Sequence, residues 1–223
     1  MSIWDQFPRS TCWPDKCSCE YIDVNALIEQ PIAFWSSLAY LAPVFLLDRK
    51  VKNKDEVFTF WKWGLVLLTF SSMFCHASYI RLSVAMDFAC IGVIMGFFSF
   101  VHFTRFRERS ALNRTLLFLL FFALMTILFY SLEKWTKIIL CMLVFVLAFY
   151  EVTLTLGRNF WRSKNLALSV SALVIAFIFF LLDDQKILPC DPHGWVHGHT
   201  LWHFGTAAAA YFFGAWRFSE SGY

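Results

Sequence analysis

The chain has 223 residues, of which 59% are hydrophobic and 16% charged, and phenylalanine alone supplies 27. Soluble domains average about 45–50% apolar and about 25% charged residues, so a fold of this size surrounded only by water is excluded. The formal charge of +3 is small and scattered, which also excludes the concentrated basic surface that nucleic-acid binding requires.

The opening stretch, MSIWDQFPRSTCWPD, is polar and aromatic without a basic-then-apolar order. No cleavable signal peptide is expected, and the first membrane segment serves as the targeting signal. Seven apolar segments follow, near 31–48, 57–79, 82–104, 112–132, 135–156, 165–183 and 196–217. Each can cross about 30 Å of hydrocarbon at about 1.5 Å per helical residue. The second and third are divided only by "YIRL", which implies a tight turn, and the fourth and fifth by "EKWTK". The sequence therefore predicts one all-α domain over 1–223, a seven-transmembrane helix bundle, with no internal repeat.

Short cytoplasmic loops are enriched in Lys and Arg. Arg49, Lys50, Lys52, Lys54, Arg105, Arg107, Arg109, Arg114, Arg158, Arg162 and Lys164 fall on one side, with Lys62 and Arg217 near it. The opposite side has Arg9, Lys16, Arg81, Lys134, Lys137 and Lys186. This bias predicts an N-terminus outside and a C-terminus in the cytoplasm. Cys12, Cys17, Cys19 and Cys190 all map to the outer side, where disulfides persist. A bond from Cys17 or Cys19 to Cys190 would tie the N-terminal segment to the loop before the last span; spacing alone does not choose between them.

Polar groups inside spans are costly and mark functional sites by default. Span two offers Ser72 and His76 in "SSMFCHASY", span three offers Asp87 in "RLSVAMDFACIG", and span seven opens with His199 and His203 in "HGHTLWHF". Residues four apart share a helix face. His76, Asp87, His199 and His203 all fall about one turn inside the outer end of their helices, with Ser72 one turn deeper. Three imidazoles and a carboxylate are thus expected in one layer. Catalytic zinc commonly takes three protein ligands and leaves a fourth position for water. Asp87 then suits a general base, and Ser72 a donor to a developing oxyanion.

The remaining candidates have plainer expected roles. His193 and His197 are expected as solvated loop residues, His102 at the inner interface, and Glu151 in a packing contact. Lys62 can snorkel to the inner surface.

The Ser-xxx-His of span two, the Asp eleven residues later, and the His-xxx-His opening span seven resemble the alkaline ceramidase family. That family belongs to a wider group of seven-span membrane hydrolases that includes the progestin and adiponectin receptors. "CSCEY" followed by "QPIAFWSSLAYLAP" is similar to the family's Cys-Glu element leading into span one.

The resemblance covers nearly the whole chain and implies a zinc-dependent amidase. Its substrate would be the N-acyl bond of ceramide or a related lipid, yielding a free base and a fatty acid. It assigns zinc to His76, His199 and His203, water positioning to Asp87 and oxyanion stabilisation to Ser72. It further implies a disulfide from Cys19 to the region of Cys190. Eukaryotic members also bind calcium in the N-terminal segment. Glu20 matches one of those ligands, but Cys17, Ser18, Ile22 and Ala33 stand where others are expected, and Asp23 or Glu29 would have to compensate. The alternative within the wider group is a receptor or signalling protein with a structural zinc site.

Overall fold

A computed structural model describes residues 2–12, 18–52, 54–103, 111–143, 146, 164–187 and 191–220. Among these the structure is helical, with one isolated bridge between Arg9 and Ile80 and no strand.

Helix α1 (Pro31–Ser36) starts on a proline, whose missing N–H is no loss at the first helical position. A 3-10 turn over Ser37–Tyr40 leads into α2 (Leu41–Lys50). Helix α3 (Glu56–Ser78) is capped by Asp55, whose side chain accepts the Phe58 N–H at 2.8 Å. Helix α4 (Arg81–Phe103) follows after only Tyr79 and Ile80. Then come α5 (Ala111–Ser131), a 3-10 turn at Glu133–Trp135 and α6, described over 136–143. Helix α7 (Lys164–Asp184) and α8 (Gly198–Ala215) complete the order, and a π-helical turn, Trp216–Glu220, ends it.

Among the described residues, four stretches are long and apolar enough to cross a membrane: Pro31–Lys50, Glu56–Ser78, Leu112–Ser131 and Lys164–Asp184. They coincide with four of the expected spans. Helices α4 and α8 fall where the third and seventh were expected. The fifth is described only in its first part, and Arg105, Arg107, Arg109, Glu151, Arg158 and Arg162 lie outside the described residues, as does the side chain of His102. Leu116, Leu120, Leu124 and Ile127 leave one face of α5 bare, and Val174, Ile178 and Leu181 do so on α7. Rows of exposed aliphatic side chains at helical spacing are what lipid, rather than water, would cover.

The turn between α3 and α4 is unusually short. Tyr79 adopts the left-handed conformation, φ 45° and ψ 27°, and so reverses the chain within one residue. Such a backbone costs on the order of 1–3 kcal/mol for a non-glycine residue and survives only where its surroundings hold it. Here the N-terminal segment does so: the Tyr79 carbonyl accepts the Ser10 N–H at 3.0 Å, and the Pro8 carbonyl accepts the Arg81 N–H at 2.8 Å.

The last carbonyls of a helix have no partner within it. In α3 they are met by distant chain. The Gln30 and Glu29 amides donate to the His76 and Ala77 carbonyls at 3.0 and 3.2 Å, and the Arg9 guanidinium donates to the Ser78 carbonyl. Arg9 also pairs with the fully buried Glu29 at 2.7 Å. The entry to α1 is thereby fastened beside the end of α3.

Helices α7 and α8 approach closely through small residues. A Cβ at Gly205 would lie 2.6 Å from the Ala176 Cβ, and the Ser169 hydroxyl donates to the Ala209 carbonyl at 2.8 Å. On the other side, α2, α3 and α8 share a core of Val44, Leu47, Phe58, Trp61 and Leu65 with Ala207 and Ala215. Helix α8 is thus held from both sides, and its first turn is delivered next to the last turn of α3.

Candidate metal centre

His76 from α3 and His199 and His203 from α8 converge at that junction. One ring nitrogen of each lies within 4.8 Å of the other two. The closest approach, 3.2 Å, is between the Nε2 atoms of His76 and His199. Zinc–nitrogen bonds of about 2.0–2.1 Å in a tetrahedron set neighbouring ligand atoms about 3.3 Å apart. His76 and His203 are each only 1% exposed, so water does not solvate these nitrogens freely.

The outer nitrogens are fixed by hydrogen bonds. His76 Nδ1 lies 3.1 Å from Gln30 Oε1. The Gln30 amide nitrogen donates to Ser18 Oγ at 2.7 Å and to the Glu20 carbonyl at 3.0 Å, so its oxygen must be the atom facing His76. An amide oxygen only accepts, which puts the proton on Nδ1 and leaves Nε2 with a bare lone pair. At His203 the Nδ1 atom lies 2.7 Å from Ser36 Oγ. The Ser36 hydroxyl already donates to the Ala33 carbonyl at 2.9 Å, so it accepts from His203. Again the inward Nε2 is bare. Bare Nε2 atoms on neighbouring buried rings repel each other unless a proton or a cation stands between them, and this is the donor chemistry of a divalent metal.

Ser72 sits one turn before His76 on α3, and both are buried. Its hydroxyl accepts from Ser37 at 3.1 Å and is the side-chain partner of Asp87. Among the described residues the buried Asp87 Oδ1 atom has no hydrogen-bond partner, which marks a place for a polar ligand. The Tyr40 ring lies 5.6 Å from that of His203. Among the described residues Asp87 is not one of the three clustered groups. Arg81, at the start of α4, pairs with Glu133 at 3.1 Å.

Glu20 uses both carboxylate oxygens on the start of α1, accepting Ile32 N–H at 2.7 Å and Ala33 N–H at 2.9 Å. Among the described residues no metal-holding acidic cluster forms around it. Burial pushes its carboxyl above the ordinary value, against the pull of those two amides and of His197. Cys12 and Cys19 are disulfide-bonded, while Cys17 and Cys190 lie outside the described residues. The Cys19 N–H donates to Asp183 Oδ2 at 3.2 Å, and Tyr21 N–H to the Pro192 carbonyl at 3.0 Å, so the N-terminal segment does reach the loop before α8.

One expectation is corrected. His193 is exposed, but His197 is only 4% exposed and its Nε2 lies 2.9 Å from the Asp191 carbonyl. It folds under the N-terminal segment because it immediately precedes α8, where Asp183 and Glu20 close over the helix start.

No protein-family model matches this chain, and no curated protein matches it. The chemistry of the site has to be read from its own atoms.

Gln30 and Ser36 were not singled out in the sequence. The available signal was "EQPIAFWSS", two polar side chains placed by the start of an apolar span at the depth of the histidines.

Proposed function

We propose that this chain is an integral-membrane, zinc-dependent amidase acting on the N-acyl bond of ceramide or a related N-acylated lipid. The observation that carries the reading is the convergence of three imidazoles, those of His76 and His203 buried with their inward nitrogens bare and that of His199 half-buried. Three protein ligands leave a position open for a reacting oxygen, whereas structural zinc is normally closed by four. That difference favours an enzyme over a receptor with a structural ion. The five residues Ser72, His76, Asp87, His199 and His203 are also those that carry the resemblance to the alkaline ceramidases.

When bound, zinc supplies Lewis acidity and acidifies water at neutral pH. The rest falls to the chain. His76, His199 and His203 hold the ion. Asp87, with Oδ1 unpartnered, takes a proton from the attacking water and returns it to the departing amide nitrogen. Ser72 accepts from Ser37; once Asp87 carries the water's proton and can donate back to the Ser72 oxygen, the Ser72 hydroxyl is free to donate to the oxyanion that develops on the former carbonyl oxygen. The bare apolar faces of α5 and α7 suit a chain that spans the bilayer seven times. In the same reading the N-terminus is outside and the centre lies near the non-cytoplasmic leaflet. The basic residues of the three loops support that orientation.

The test is a mass-spectrometric hydrolysis screen of N-acyl lipids, ceramide included, with the wild-type chain and Asp87→Asn. Release of fatty acid and free base by the wild type alone is the expected result. Equal activity in both, or none with any lipid, overturns the reading.

A further inference from the structure

Gln30 joins the first span to the metal centre in an unusual way. Its oxygen faces His76 Nδ1, its nitrogen is given to Ser18 and to the Glu20 carbonyl, and its backbone N–H caps the His76 carbonyl itself. It is fully buried, with 0% of its surface exposed. Glu20 meanwhile caps α1 with its carboxylate, and α1 carries Ser36, the partner of His203 Nδ1. The segment around Ser18 and Glu20 therefore supports, through Gln30 and the start of α1, the side chains behind two of the three imidazoles.

We infer that Gln30 is a positioning residue for the metal centre, holding His76 in the tautomer that binds a cation, with Ser36 doing the same for His203. The inference rests on the metal-site reading above. A purely architectural role for Gln30, fastening the N-terminal segment through its NH2 group, makes the opposite demand on substitution. Gln30→Leu fills similar space and removes the acceptor. Gln30→Glu keeps an acceptor for Nδ1–H and discards both amide donations. Carboxylate–histidine–metal pairs are a common arrangement, and losing such a partner typically weakens metal binding about 10–100-fold.

The experiment uses the full-length chain in detergent or nanodiscs, titrated with Co2+ by ligand-field absorption and with Zn2+ by competition. Gln30→Leu is expected to bind Co2+ about 10–100-fold more weakly with an altered spectrum, and Gln30→Glu to bind within a few-fold of wild type. Glu binding as weakly as Leu, or Leu binding like wild type, overturns the inference and leaves the metal reading standing. A folded wild-type chain that takes neither metal overturns both. If Gln30→Leu does not fold, Ser36→Ala at the second imidazole must show the same weakening, and unchanged affinity there counts against the inference.

Discussion

Asp183 and Gly198 are locked together across the α7–α8 junction. Asp183 Oδ1 accepts the Gly198 N–H at 3.1 Å, and a Cβ at Gly198 would lie 2.6 Å from both the Asp183 Cβ and the Phe179 carbonyl oxygen. His199 is the next residue. Gly198→Ala must therefore push the first turn of α8 away from α7, and overpacking of this kind costs about 1–3 kcal/mol. Thermal unfolding in detergent should show a lower midpoint, and metal affinity should fall with it. An unchanged midpoint would show that the junction yields freely.

Metal analysis of purified wild-type chain should find about one zinc per chain, bound by the three neutral imidazoles. His199→Ala should lose it, since two ligands cannot hold the ion at ordinary free-zinc levels. Zinc retained in the variant at full stoichiometry would mean that it is bound somewhere else.

Ser72→Ala separates binding from reaction. Its hydroxyl is engaged by Ser37 and Asp87 rather than by a histidine, so the zinc content should be unchanged. Removal of one oxyanion donor costs about 100- to 1,000-fold in kcat. Kinetics on whichever N-acyl lipid the wild type cleaves would measure this; a loss confined to KM would assign Ser72 to substrate binding alone.

Glu20 predicts a pH dependence of stability. Burial raises its carboxyl above the ordinary value of 4.5, so the folded chain keeps a proton that the unfolded chain has already released. This contribution to folding is fully present below the ordinary value and is lost as pH rises through the folded one. The midpoint of Glu20→Gln relative to wild type should therefore rise with pH across the acidic range. A difference that stays constant with pH would show that the carboxylate is not penalised by burial.

Much of this site was legible because membrane spans make polar residues conspicuous. His76, Asp87, His199 and His203 stand out as costly groups at one depth, with Ser72 one turn deeper, and the structure brings the three histidines together and joins Ser72 to Asp87. The tight "YIRL" turn was equally plain, because two apolar segments left no other chain to connect them. What escaped was the support. Gln30 and Ser36 act through contacts with residues far away in the chain, and no periodicity encodes a distant partner. His197 departs from its expected exposure for a related reason. Its loop position suggested water, but burial there depends on the N-terminal segment folding across the start of α8.

The two-residue join at Tyr79 and Ile80 has a consequence for how such a chain can diversify. Inserting a single amino acid there would turn α4 by about 100° relative to α3, swinging Asp87 away from Ser72 while leaving every histidine in place. Length variation in descendants of this scaffold should therefore be absent at this corner and tolerated at others, since a hairpin without slack acts as the ruler between acid and imidazoles.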